Sequence, residues 1–179
     1  MRPVCICALF LATAAAAANP PLTIVLDFQG PHSARSVDAM KHEIEALMQP
    51  SGMTFDWRLR GELGEAAVDN LIVVRFKGKC VLEPVGYLYD ERGPLAFTYS
   101  TAGEVQPYSE VACDKVTAAV RSAMAGADFA RADLLFGRAL GRVVAHEMAH
   151  ILAKSRAHSH DGFTKPSLSA KSLIARERP

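Results

Sequence analysis

The chain has 179 residues, of which 50% are hydrophobic and 22% are charged, and its formal net charge at pH 7 is +1. This length and composition predict one globular domain with enough apolar side chains for a buried core. The near-neutral charge, with no basic run interleaved with aromatic residues, gives no electrostatic reason to propose a nucleic-acid partner or an anionic membrane. We expect a monomer.

Residues 1–18 predict a signal peptide. Arg2 precedes an apolar run from Val4 to Ala18, which is too short to span a bilayer comfortably. The small residues Ala16 and Ala18 suit cleavage just before Asn19, which leaves a single domain at residues 19–179 with no membrane attachment. The alternative is an uncleaved N-terminal anchor. In both cases the domain is exported, so we expect a secreted or periplasmic protein.

Two of the four cysteines, Cys80 and Cys113, lie outside the predicted signal peptide. In an oxidising compartment they are expected to form a disulfide, which would stabilise the fold by about 3–4 kcal/mol. Two free thiols are the alternative. Neither cysteine has the sequence surroundings of a catalytic residue.

Apolar periodicity and turn residues predict seven secondary-structure elements in the mature chain. In chain order they are a strand at 22–28, a helix at 36–48, strands at 53–59, 70–76 and 95–101, and helices at 109–124 and 128–152. Ser36 can cap the first helix, and Pro50 follows its end. The run from Leu71 to Val74 is continuous enough for a strand buried on both faces. This order predicts an α/β or α+β fold, in which helices pack on a mixed sheet of about four strands.

The last predicted helix has the strongest pattern. It contains no proline, and its apolar residues recur at spacings of three and four: Phe136, Leu140, Val144, Met148 and Ile151. This stripe predicts the core face of the helix. Gly137 and Gly141 lie near the stripe, and their low helix propensity indicates close packing against a sheet or another helix.

The segment 146–150 of this helix reads H-E-M-A-H. A step of four residues advances about 400° around a helix, so His146 and His150 project from one face and can bind one metal ion. Glu147 lies beside that face without being a ligand, where a carboxylate can take a proton from a water molecule activated by the metal. The pattern therefore predicts a zinc site with its own general base.

A catalytic zinc site usually has three protein ligands, so a third residue is needed. The downstream candidates are His158, His160, Asp161 and Glu177. His158 is the first choice, because the chain must turn after the helix before it can return to the metal, and His160 is the second. Asp161 is expected to cap a turn. Glu177 lies in a chain terminus that we expect to be frayed.

The segment 146–164 resembles the metzincin group of zinc metallopeptidases. The extended metzincin signature is H-E-x-x-H-x-x-G-x-x-H, followed by a methionine-containing turn. Aligned strictly, its third histidine falls on Arg156, so the match requires a loop two residues longer. The segment is more similar to small secreted metzincin-like proteins with H-E-L-G-H, a short apolar run and G-S-x-x-H-S-x-x-G-I-M, to which Ser155, Ser159 and Gly162 correspond.

This resemblance implies a zinc metallopeptidase that hydrolyses peptide or protein substrates. It assigns His146, His150 and His158 as the zinc ligands and Glu147 as the general base. It also implies that the strand from Leu95 to Thr101 forms the edge of the sheet along the substrate cleft.

Three positions depart from the resemblance. Ala149 and Lys154 replace glycines, and Thr164 replaces the methionine of the turn. These departures motivate an alternative function, a secreted zinc-binding module without catalytic activity. The retained Glu147 favours the enzyme, because a structural zinc site needs no such carboxylate.

Overall fold

The computed structural model describes residues 20–64, 68, 70–82 and 93–179, and the predicted signal peptide lies outside them. Five strands and four α-helices occur in this part of the chain. They are β1 (Leu22–Phe28), α1 (Ala34–Met48), β2 (Phe55–Leu59), β3 (Leu71–Lys77), β4 (Ala96–Thr101), β5 (Glu104–Ala112), α2 (Cys113–Ala123), α3 (Ala132–Ala153) and α4 (Ala170–Ile174). None of the described helices combines the length and apolar character that a membrane crossing requires.

The strands form one mixed sheet in the order β2-β1-β3-β5-β4. β1 pairs in parallel with β2 and β3, and β3 pairs in parallel with β5. β4 pairs antiparallel with β5 and lies at the edge of the sheet. The predicted α+β class and the predicted edge strand are therefore confirmed, although the described sheet has one strand more than expected.

The additional strand is β5, and it corrects the predicted helix at 109–124. Residues 109–112 belong to the strand, and the helix α2 begins only at Cys113. Glu110 and Val111 pair with β3 on one side and with β4 on the other, so tertiary pairing decides their conformation. A two-residue turn with positive φ at Ala102 and Gly103 joins β4 to β5, as is typical of tight hairpins.

Two smaller predictions about α1 and β3 are also wrong. The N-cap of α1 is Ser33, whose hydroxyl accepts a hydrogen bond from the Ser36 backbone N–H at 3.4 Å. The buried Ser36 hydroxyl instead reaches α3, where it lies 3.1 Å from the backbone carbonyl of Asp133. β3 is not buried on both faces, because only alternate residues of the strand are fully buried.

The core contact between α1 and α3 confirms the close packing predicted from the two glycines. A Cβ atom on Gly137 would lie 2.6 Å from Cβ of Ala39, and one on Gly141 would lie 2.7 Å from Cβ of Glu43. The two helices therefore approach more closely than any side chain at these positions would allow.

Replacing Gly137 by alanine is expected to lower the free energy of unfolding by about 1–3 kcal/mol, because the new methyl group overpacks the contact between α1 and α3. Urea denaturation followed by circular dichroism measures this change. Gly61→Ala is the control, since an added Cβ there meets no atom within 4 Å. A Gly137→Ala protein as stable as the wild type would contradict the close helix contact.

Cys80 and Cys113 form a disulfide, as predicted. The bond joins the segment that follows β3 to the first residue of α2. It closes a separation of 33 residues that contains both strands of the β4–β5 hairpin. The disulfide therefore links the segment after β3, the central strand of the sheet, to the helix that follows the β4–β5 hairpin.

The chain terminus is held by a buried arginine, which corrects the expectation that it is frayed. The fully buried Arg142 of α3 donates from Nε to a carboxylate oxygen of Glu43 in α1 at 2.9 Å. Three more guanidinium N–H groups donate to the backbone carbonyls of Ser172, Ala175 and Glu177. One side chain therefore connects two helices with the segment that contains α4.

Candidate metal centre

His146 and His150 lie on one face of α3, near its C-terminal end, and both are half-buried. The helix ends at Lys154, whose φ of 48° is left-handed. Its backbone N–H donates to the carbonyl of Ile151 at 3.2 Å, and the N–H of Ser155 donates to the carbonyl of His150 at 3.1 Å. This cap is the position where the resemblance has glycine, and lysine adopts the same turn at an energetic cost of roughly 1–2 kcal/mol.

The turn after Lys154 returns the chain to the helix and brings His158 to the other two histidines. The ring centroid of His158 lies 5.2 Å from that of His146 and 4.8 Å from that of His150. Each of the three rings offers one nitrogen as a possible ligand atom, and these three nitrogens lie within 4.8 Å of one another. Among the described residues the grouping contains neither His160 nor Asp161 nor Glu177.

Backbone carbonyls determine which ring nitrogens of the helical pair face the centre. Nδ1 of His146 lies 2.9 Å from the carbonyl oxygen of Phe163, and Nδ1 of His150 lies 2.8 Å from that of Ser155. A carbonyl only accepts hydrogen bonds, so each Nδ1 carries a proton, and in the neutral imidazole each Nε2 then presents a lone pair. Carbonyl partners of this kind orient histidines that bind metals.

The donor set fits a metal ion. The two Nε2 atoms lie 3.1 Å apart, a distance at which a proton or a metal cation between them offsets the repulsion of two lone pairs. Nitrogen ligands about 2.0–2.1 Å from a tetrahedral ion are separated by about 3.3 Å, which is close to this distance. His146, His150 and His158 can therefore hold a metal ion.

The pKa of His158 is lowered, first by desolvation and then by the neighbouring His150 and His146, while Glu147 acts in the opposite direction. The lowered pKa favours the neutral imidazole, which is the form that binds metals.

Two hydroxyl side chains close the loop that carries His158. The backbone N–H of Ser159 donates to the carbonyl of Thr164 at 3.1 Å, and the two hydroxyls are hydrogen-bonded to each other. Thr164, which replaces the methionine of the resemblance, thus ties the loop together. The hydroxyl of Ser159 also donates to the backbone carbonyl of Asp161. Asp161 is the N-cap residue of the turn Gly162–Thr164, as predicted, although its side chain makes no capping hydrogen bond.

Glu147 is buried, with 6% of its surface exposed. It lies on α3 between the two helical histidines in sequence, and its carboxylate faces the edge strand β4. The hydroxyl of Thr98 donates to Oε2 of Glu147 at 2.7 Å and also lies 3.3 Å from the Glu147 backbone carbonyl. No local sequence pattern singles out Thr98, although the resemblance implies that its strand borders the site.

A cavity of about 240 Å³ adjoins His146 and Glu147. Most of its wall is apolar and comes from four parts of the chain. The main contributors are Leu95, Ala96, Val143, Leu168 and Leu173, and Lys165 also lines it. No local sequence pattern predicts this cavity, because its wall combines residues from β4, α3, α4 and the segment before α4.

No protein-family model, curated protein or solved structure matches this chain.

We expect His158→Ala to weaken zinc binding by more than about 100-fold, since even the loss of an outer partner of a ligand costs 10–100-fold. Competition with a chromogenic chelator measures the affinity. His160→Ala is the matched control, because it removes a histidine two residues away that lies outside the triad. Loss of affinity in His160→Ala with normal binding by His158→Ala would make His160 the third ligand.

Proposed function

We propose that this protein is a zinc-dependent metallopeptidase that acts in an oxidising compartment outside the cytoplasm. The observation that carries the proposal is the buried Glu147 next to three clustered histidines, of which His146 and His150 flank it on the same helix. This combination supplies metal ligands and a separate base within one short segment. The disulfide between Cys80 and Cys113 supports the compartment.

Zinc is the metal that best suits the site. Imidazole ligands also suit copper, iron and nickel, but three neutral histidines with an adjacent unliganded carboxylate are typical of hydrolytic zinc sites. His146, His150 and His158 would hold the ion and leave its fourth position for water or substrate. This arrangement matches the resemblance to metzincins in the segment 146–164.

In the proposed reaction a bound zinc ion would polarise the scissile carbonyl and lower the pKa of a water molecule. Glu147 takes a proton from the attacking water and later delivers it to the leaving amine. Burial of Glu147 limits competing hydrogen bonds with bulk water, and the hydrogen bonds to Phe163 and Ser155 keep His146 and His150 in one orientation.

The proposed substrate is an extended peptide. β4 is the edge of the described sheet and lies against α3 through the contact of Thr98 with Glu147. An exposed sheet edge can pair with a peptide as an additional strand, which would carry the peptide past the histidine triad. The adjoining apolar cavity would receive one side chain of that peptide.

Glu147→Ala is expected to lower kcat/KM for peptide cleavage by about 10²–10⁴-fold, because it removes the general base, while zinc remains bound. Cleavage of a peptide library and zinc content per chain are measured on the same preparation. Glu62→Ala, which changes an exposed glutamate just after β2, is the control.

The same preparation tests a second candidate function, the zinc-binding module without catalytic activity that Lys154 and Thr164 motivate. Stoichiometric zinc without cleavage by the wild type or by Glu147→Ala would favour the module. A wild-type protein that binds no zinc would contradict both functions.

The cavity predicts a preference for a medium-sized apolar side chain next to the scissile bond. Leu168→Ala enlarges the cavity and is expected to shift the kcat/KM ratio of phenylalanine over leucine at that position by about tenfold. Paired peptides that differ only there measure the ratio. Leu134→Ala, an exposed leucine at the start of α3, is the control. An unchanged ratio in Leu168→Ala would show that the cavity does not hold the substrate side chain.

A further inference from the structure

Thr98 occupies the point where the edge strand meets the carboxylate of Glu147. Its hydroxyl lies 2.7 Å from Oε2 of that carboxylate and 3.3 Å from the backbone carbonyl of the same residue. A threonine hydroxyl has one proton to donate, and the shorter distance together with the negative charge favours the carboxylate as its acceptor.

A buried carboxylate has lost hydration, and a hydrogen bond from a neutral donor compensates part of that loss. Because the donor is on β4 and the acceptor on α3, the bond also fixes the direction of the carboxylate relative to the strand. With Oε2 engaged by Thr98, Oε1 is the oxygen that can take a proton from water. The hydroxyl therefore distinguishes two otherwise equivalent atoms.

We propose that Thr98 is a positioning residue that orients the general base Glu147 and couples it to the edge strand on which the peptide would lie. This inference rests on the proposed function. It assigns a role to a residue that lies outside the segment 146–164 and 49 residues from Glu147 in the sequence. It also explains how one strand could serve substrate binding and catalysis together.

The strand β5 offers a matched control for Thr98. Ser109 pairs directly with Thr98 across the antiparallel ladder, so the two side chains project from the same face of the sheet. Ser109 is fully buried, and its hydroxyl has no hydrogen-bond partner among the described residues. Ser109→Ala thus removes a neighbouring buried hydroxyl without removing a hydrogen bond to Glu147.

The test compares Thr98→Val, Thr98→Ser and Ser109→Ala in the full zinc-loaded chain. Thr98→Val keeps the shape and strand preference of the side chain, and we expect kcat to fall by about tenfold with KM nearly unchanged, because the base acts only in the transition state. Thr98→Ser restores the hydroxyl and is expected to recover most of kcat. Ser109→Ala should retain wild-type kcat, and all three variants should bind one zinc ion.

Infrared difference spectra provide a readout that does not depend on activity. The difference between the wild type and Glu147→Gln identifies the carboxylate band of Glu147. That band should shift in Thr98→Val, because its oxygen loses a hydrogen bond, and should return in Thr98→Ser. An unshifted band, or a Thr98→Val enzyme with wild-type kcat, would overturn the proposal. If the wild type cleaves no peptide, the proposed function fails, whereas the band still decides whether Thr98 holds the carboxylate.

Discussion

The buried guanidinium of Arg142 is the interaction on which the arrangement around α3 depends. A charge with none of its surface exposed is tolerated only if it is paired and hydrogen-bonded. Glu43 supplies the opposite charge from α1, and backbone carbonyls at Ser172, Ala175 and Glu177 accept three further hydrogen bonds. Folding this helix therefore requires both α1 and the segment around α4 to be in place.

The same face of α3 also carries two histidines of the candidate metal centre. Arg138, Arg142, His146 and His150 follow one another at steps of four residues, so they form a polar stripe along the helix. Arg138 donates to the carbonyls of Ile174 and Ala175, which strengthens the attachment of α4. This attachment places Leu173 in the wall of the cavity beside His146. Arg138 and Arg142 hold the segment around α4 in place, and this segment forms part of the cavity next to His146.

Features with a local signal could be predicted from the sequence. The long helix, its histidine spacing and the close packing at Gly137 and Gly141 follow from periodicity and residue size. The disulfide follows from the number of cysteines. β5 could not be predicted, because its conformation comes from pairing with strands on both sides, and its polar sequence lacks a strand pattern. Thr98 lies 49 residues from Glu147, so only the sheet topology brings the two together.

The disulfide between Cys80 and Cys113 makes the stability of the fold depend on whether the surroundings are oxidising or reducing. A bond of this kind contributes about 3–4 kcal/mol, against a typical total of 5–15 kcal/mol for a domain. Under reducing conditions noncovalent contacts hold the hairpin of β4 and β5 to β3, among them strand pairing and the ion pair of Lys77 with Glu110, and β4 carries the contact with Glu147. Reduction of the bond is therefore expected to loosen the edge of the sheet that contacts Glu147.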